Sequence, residues 1–376
     1  PQVESIIKFL SIIFLIQPLY VVQRALLIKG LDFKSIGKIE NITIVSAGII
    51  AIIMAKYNFG IWALVSQIIL ISIFSCILYW IQCDWRPKIL FNYYSLKKYS
   101  NFSLNLLGTS ILNYLTRFLD KIIIGRNFDS LSLGYYNRGS NLIFRVDTLG
   151  KSISQVLFPI YSSIQNENKR ILNIHLSTIK IILLITLPIY AVIILTSTEL
   201  VIVLFGEQWL NMVIFLKIFS VYGLARTIGS INANLYLSKG RTDLQFKVNI
   251  FTRLFIIGGM IVGLKWGPVG VALLSSLAST ISLFPNIYYA GKLIDLSLGT
   301  FFHSILPEIC CASFTCLIYI LISKLDFINL YNVSLQLFIN ILIFLLLYLV
   351  IVMLLSPKSF LEIQKLIKNK KLAVFK

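Results

Sequence analysis

The sequence predicts an all-α polytopic membrane protein built from two helical lobes related by a parallel repeat. Three observations predict it. The first is composition. The 376 residues are 57% hydrophobic and only 13% charged, with mean hydropathy +0.86, whereas soluble domains are near half apolar and a quarter charged. The second is a series of apolar stretches near the roughly 20 residues that carry a helix across hydrocarbon with its backbone groups satisfied internally. The third is an internal echo. Residues 56–66 read K-Y-N-F-G-I-W-A-L-V-S and residues 265–275 read K-W-G-P-V-G-V-A-L-L-S, so Lys56, Tyr57, Ala63, Leu64 and Ser66 recur as Lys265, Trp266, Ala272, Leu273 and Ser275, each 209 positions later. Upstream, Lys29-Gly30, Asp32 and Phe33-Lys34 are echoed by Lys239-Gly240, Asp243 and Phe246-Lys247.

Eleven spans follow in order. The first, 5–22, starts almost with the chain and stops before Arg24. Spans 39–55 and 60–82 flank the first copy of the echo. Spans 101–124 and 132–157 are the polar pair of the set. Spans 176–196 and 208–236 follow, separated by a loop with Glu199 and Glu207. Spans 248–264 and 267–290 flank the second copy, and 302–323 and 335–355 close the series. Basic residues test this threading. One set of loops, with the C-terminal tail, holds twenty Lys and Arg; the alternate set holds Lys56, Arg126, Lys265 and Lys324. Cytoplasmic loops carry the Lys/Arg excess. The first set is therefore expected inside, with a cytoplasmic C-terminus and both echo copies in the same orientation. Internal repeats are a common plan for secondary transporters, with the substrate site between the repeats.

The net charge of +19 does not call for a nucleic-acid partner, because most of it is this topogenic signal. The lysine-rich tail, with Lys358, Lys365, Lys368, Lys370, Lys371 and Lys376, is suited to anionic lipid. Eleven spans with an inside C-terminus put Pro1 outside, without a signal peptide. Projecting the repeat upstream leaves no room for the partner of 101–236. Both readings lead to the expectation of about three further helices before Pro1 and about fourteen in all. The domains expected are 1–100, the remainder of an N-terminal lobe; 101–300, a six-helix C-terminal lobe; and 301–376, two additional helices and the basic tail.

Catalytic chemistry is sparse. Cys76, Cys83, Cys310, Cys311 and Cys316 follow no metal-ligand spacing and predict neither a metal site nor a disulfide. His175 and His303 stand far apart, and there is no H-E-x-x-H, P-loop or G-x-G-x-x-G. No cofactor is expected. The short external loops leave little room for a membrane-embedded glycosyl polymerase or ligase.

The informative residues are charges inside spans, which are costly in lipid and mark function by default. Asn113, Arg117, Asp120 and Lys121 share one face of the fourth span. Arg138, Asn141 and Arg145 form a polar stripe on the fifth, while Asp147 and Lys151, four residues apart, are placed to pair with each other. Lys217 and Arg226 lie in the seventh span and Arg253 in the eighth. Arg117, Arg138, Arg145, Lys217, Arg226 and Arg253 thus face two acids, Asp120 and Asp147. This balance suits a cavity for an anion, and arginine's planar fork suits phosphate. Each has a plainer alternative: Arg253 can snorkel, Lys121 can sit at the interface, and Arg117–Asp120 can be a packing ion pair. Arg145, mid-span with no acid at i±3 or i±4, is the leading candidate for lining a cavity. Tyr114, Tyr135 and Tyr136 are placed either to stack on sugars or simply to pack.

Residues 117–170 contain R-F-L-D-K-I-I-I-G-R, L-G-Y-Y-N-R-G-S-N-L and V-L-F-P-I-Y-S-S-I-Q-N-E-N-K-R. They are followed by L-F-G-E-Q-W at 204–209 and K-G-R-T-D at 239–243. With Arg24–Phe33, these stretches resemble the Wzx-type polysaccharide flippases of the MOP superfamily, in the branch near the colanic acid and teichuronic acid exporters. The resemblance reaches about residue 300; the last two helices match only in hydropathy. It implies two six-helix lobes around a central cationic cavity, as in the related MATE exporters. It also implies transport of undecaprenyl-pyrophosphate-linked oligosaccharide across the cytoplasmic membrane by alternating access, alongside a polysaccharide polymerase and chain-length machinery. Family members carry Asp and Arg at Asp120, Arg126 and Arg138. Against the pattern, the first three helices of the N-terminal lobe are not in this sequence, and transport by these residues alone is not expected. Rival readings are a multidrug cation exporter, which wants an acidic cavity, a cell-wall precursor flippase, which shares the mechanism, and the polymerase or ligase.

Overall fold

The computed structural model describes residues 2–87, 92–323 and 332–355, and these are helical almost throughout. Lys88, Lys324 and the basic tail lie outside the described residues. Two compact units divide between Tyr93 and Tyr94, seven residues before the division expected from the spans, and the second unit includes the two last helices.

The first unit holds α1 (Gln2–Ser11), α2 (Ile13–Ile16), α3 (Pro18–Lys29), α4 (Phe33–Lys56) and α5 (Ile61–Gln82). Its first span is not one rod. The chain bends by 48° between Ile16 and Pro18, where the proline lacks the N–H that would continue the ladder and serves instead as a first-turn residue. Beyond the bend the helix runs to Lys29, so Arg24 belongs to a helix and not to the loop predicted for it. Helices α4 and α5 form a hairpin with Ala47, Ala51 and Ala63 buried.

The second unit holds α6 (Tyr93–Asn127), α7 (Ser130–Ser163), α8 (Asn168–Leu195), α9 (Ser197–Phe205), α10 (Val213–Ser238), α11 (Thr242–Gly263), α12 (Gly267–Ile281), α13 (Leu283–Gly291), α14 (Leu298–Ser323) and α15 (Val333–Leu355). Helix α10 packs against α7, α8, α12 and α13, and small or polar residues such as Ser220, Gly223, Thr227, Asn232 and Asn234 are among those it buries. Small residues and interhelical hydrogen bonds suit association where no water drives helices together. Helices α14 and α15 close on α8 through Cys311, Ala312, Phe344 and Tyr348. Pro188 breaks the ladder inside α8, and the Tyr348 hydroxyl donates to the carbonyl of Leu184 at 3.0 Å. That carbonyl is the one Pro188 leaves without an N–H.

Among the described residues, seven helical stretches are long and apolar enough to cross a membrane, eight with the bent pair at the start. The difference from the eleven expected has two causes. Helices α6 and α7 are the longest described, at 35 and 34 residues, or roughly 50 Å at 1.5 Å per residue, but their Asn, Ser and charged residues make them too polar to be included. Residues 242–294 count as one stretch, although they hold the two expected spans as α11 and α12, the second continued by α13 after a break at Ser282.

The echo has a local structural counterpart. Helix α3 ends with Leu31 in the left-handed region (φ 57°) and α10 with Gly240 there (φ 67°), 209 positions apart. In both, paired backbone bonds close a Schellman turn: Asp32 to Leu27 and Leu31 to Ile28 in one, Arg241 to Tyr236 and Gly240 to Leu237 in the other. The hairpins that follow restart at positive-φ glycines, Gly60 and Gly267. In the first copy Asp32 then caps α4 by accepting from the Ser35 N–H, and the bonds from Ser35 hold its carboxyl below the usual carboxylate range. A leucine pays about 1–2 kcal/mol for the left-handed conformation. Leu31→Gly is therefore expected to raise stability by up to about 1 kcal/mol, and Gly240→Ala to lower it by about the same amount. Thermal unfolding of the purified protein in detergent checks both; two unchanged midpoints would contradict the assignment.

Candidate functional site

The second unit contains a cavity of about 480 Å³ walled by α6, α7, α10, α11, α12 and α13. Arg117 and Asp120 reach it from α6, Phe144 and Lys151 from α7, Tyr222 and Arg226 from α10, and Arg253 from α11. Gln245, Asn249, Thr252, Ser275, Ser279, Ser282 and Asn286 complete a neutral polar side.

The charges are not equivalent. Asp147 and Arg226 form an ion pair, Nε to Oδ2 at 2.7 Å, with side chains 4% and 24% exposed. The pairing of Asp147 with Lys151 expected from their spacing is thus corrected. Asp147 points toward α10 and α8, where the Tyr190 hydroxyl donates to its other oxygen at 3.0 Å. Tyr190 reaches it because residue 223 is glycine: a Cβ there would stand 2.6 Å from the phenol. Arg226 also donates to the Tyr222 hydroxyl at 3.3 Å, and its guanidinium lies over Phe144 at 4.4 Å and over Tyr222 at 5.4 Å. Arg117 approaches the same Phe144 ring at 5.8 Å. One phenyl ring therefore serves two guanidinium groups by cation–π attraction.

Asp120 is buried and accepts from the Tyr136 hydroxyl at 2.7 Å; among the described residues it makes no ion pair with Arg117. Tyr136 is itself packed edge-on against Phe215 and Phe219 and also borders the cavity. Tyr135 packs on Trp209, while Tyr114 lines the cavity. Arg253 lines the cavity too, and its buried Nε has no hydrogen-bond partner; the same is true of the Gln245 Oε1. Buried polar atoms without partners are uncommon and mark places where a ligand or water would be accommodated.

Four of the eight predicted site residues, Arg117, Asp120, Arg226 and Arg253, line this cavity. The other four, Arg138, Asn141, Arg145 and Lys217, are exposed and do not line it; Arg138 stands over Trp209 at 5.9 Å. Sequence reasoning missed the cavity roles of Lys151, Phe144 and Tyr222 and the polar side from Gln245 to Asn286. The stripe 138–141–145 is a real shared face. Spacing gives which residues share a face but not which face meets the cavity.

The first unit has a smaller cavity of about 400 Å³. Arg24 and Glu40 meet there at 3.1 Å, beside Tyr20 stacked on Tyr79. Among the described residues no group of His, Cys, Asp and Glu is arranged to hold a metal ion. His175 is buried against Tyr161 at 3.2 Å, away from the larger cavity. The larger cavity's wall sets Arg117, Lys151, Arg226 and Arg253 against Asp120, with Asp147 behind Arg226. This arrangement can hold an anion by charge-assisted hydrogen bonds.

A family model described as "Polysaccharide biosynthesis protein" matches residues 1–214. The teichuronic acid biosynthesis protein TuaB of Bacillus subtilis (strain 168) is 27% identical over 310 residues, 81% of this chain and 64% of the relative. The lipopolysaccharide biosynthesis protein WzxC of Escherichia coli (strain K12) is 27% identical over 321 residues, 82% of this chain and 65% of the relative. Among solved structures, the lipid II flippase MurJ in its inward closed conformation shares the fold, with a TM-score of 0.57 at 21% identity over 83% of this chain and 65% of that one. The chain therefore spans about two thirds of the length of the curated relatives it matches.

Proposed function

Because the chain belongs to the polysaccharide biosynthesis protein family, we propose that it translocates lipid-linked oligosaccharide repeat units, held by their undecaprenyl pyrophosphate, from the cytoplasmic to the outer leaflet of the cytoplasmic membrane. The observation that carries this reading is the cationic cavity, where three arginines and a lysine face one lining carboxylate. A pyrophosphate diester presents two negative charges and planar, bidentate acceptor edges that match guanidinium forks. The neutral side of amides and hydroxyls suits sugar, and the lipid tail stays in the bilayer. The work is transport and not bond chemistry. The substrate moves by alternating access, in which each conformation binds it differently. In this reading the C-terminus is cytoplasmic, the lysine-rich tail serves anionic lipid, and a polymerase with its chain-length machinery takes up the product outside. A multidrug cation exporter is disfavoured by the basic wall.

The test is expression of the intact gene, rather than of these 376 residues alone, in a bacterium that makes the repeat unit but lacks its own flippase. Surface polysaccharide is expected to return, and lipid-linked repeat units to stop accumulating inside. Continued accumulation, at normal membrane abundance and with a repeat unit from the same gene cluster, would overturn the reading.

A further inference from the structure

The cavity contains a contact that works against its own ligand. Arg226 lies on the cavity wall with its Nε already committed to Asp147. The carboxylate is fixed from behind by Tyr190, which donates at 3.0 Å, and it is almost wholly buried. A phosphate that takes Arg226 must either displace this carboxylate or bind beside it. Displacement leaves a buried anion without its cation, and binding beside it brings like charges together at short range and low dielectric. A proton on Asp147 removes both penalties, since the neutral acid releases the guanidinium and no longer repels the phosphate.

We infer that Asp147 is a proton-binding site whose occupancy controls the access of the anionic headgroup to Arg226. The inference rests on the reading of the substrate as a lipid-linked pyrophosphate. In the step, Asp147 Oδ2, which accepts no hydrogen bond among the described residues, takes a proton from bulk solvent, and the Arg226 guanidinium keeps its charge and turns from the carboxylate to a phosphate oxygen. The surrounding charged and titratable groups are Lys151 on α7, Arg117 and Asp120 on α6, Tyr136 on α7, Tyr190 on α8, Tyr222 on α10 and Arg253 on α11. Helices α12 and α13 supply serines, Leu283 and Asn286 to the wall, none of which titrates. Of the two carboxylates, Asp120 accepts from the Tyr136 hydroxyl and the Lys121 N–H and forms no ion pair among the described residues. Asp147 is the one that pairs with the cation facing the ligand. Headgroup binding and proton uptake are then linked, each favouring the other.

The test is equilibrium binding of radiolabelled farnesyl diphosphoglucose to the protein in detergent. This probe is a diphosphate diester with no proton of its own to exchange between about pH 5 and pH 8. Native protein is expected to bind it about tenfold or more weakly at pH 8 than at pH 5.5, consistent with one linked proton. Asp147→Asn is expected to bind at pH 8 as tightly as native does at pH 5.5, with a flat profile. Native binding that ignores pH, or an Asp147→Asn profile with the native slope, would overturn the inference and leave the proposed function standing. No binding by native protein at any pH would overturn both. If Asp147→Asn does not fold, Tyr190→Phe keeps the carboxylate and removes its hydroxyl donor. Its pH profile is expected to keep the native slope with a displaced midpoint, and an undisplaced midpoint would count against the inference.

Discussion

Arg226→Leu is expected to cost about 3–5 kcal/mol of stability and to abolish transport. The substitution leaves Asp147, 4% exposed, as a buried anion without its ion-pair partner, held by the hydrogen bond from Tyr190. The double substitution Asp147→Leu with Arg226→Leu is expected to return stability to near the native value. Buried ion pairs replaced whole by apolar residues of similar size are often neutral or stabilising, whereas removal of one partner is not. Transport stays lost in the double variant because the cavity wall has lost a guanidinium. Thermal unfolding in detergent reads the first quantity, and surface polysaccharide in the flippase-deficient strain reads the second. A single variant as stable as native would show that the pair does not hold α7 to α10. A transporting double variant would remove Arg226 from the path.

Arg253→Met should act in the opposite sense on stability. Its guanidinium has no acid within ion-pair distance among the described residues, and its buried Nε has no partner. Such a charge destabilises its helix bundle unless something binds it. Methionine keeps much of the side chain's length and flexibility. Stability is expected to rise by about 1 kcal/mol, while transport falls by more than about tenfold, the trade-off common where a site is kept ready for a ligand. Unfolding midpoints and the rate of surface polysaccharide appearance check the two halves. A variant that is both less stable and fully active would mean that Arg253 serves packing alone.

Much of the fold is legible in the sequence, because a helix in lipid writes its own length and polarity. Each of the eleven spans falls on helix, and the echo at 56–66 and 265–275 marks two hairpins preceded by turns whose left-handed residues, Leu31 and Gly240, are 209 positions apart. Helix ends are less legible. Pro18 breaks the first span, Ser282 breaks the ninth, and the polar helices α6 and α7 run well past the apolar windows that betrayed them. Local turn chemistry and polar side chains decide these points, and hydropathy does not register them.

The site divides in the same way. Sequence spacing found the charged helices and the excess of cations. It could not find that Asp147 turns to Arg226, because the two are 79 positions apart and their meeting depends on how α7 packs on α10, with Gly223 making room for Tyr190. Nor could it single out Phe144, an aromatic residue among many, as the ring between Arg117 and Arg226. Spacing favours Arg145, which is mid-span with no acid at i±3 or i±4. In the folded unit it is exposed and outside the cavity, and Arg226, paired to an acid from another helix, lies on the wall.

The most direct measurement of the cavity's role is translocation of a fluorescent undecaprenyl-diphospho-oligosaccharide in proteoliposomes, comparing native protein with the Arg117→Gln, Arg253→Met double variant at equal reconstitution. Native protein is expected to move the lipid between leaflets well above the rate of empty vesicles, and the double variant to match the empty vesicles while remaining folded. Native and variant proteins moving the lipid equally fast would contradict transport through this cationic cavity.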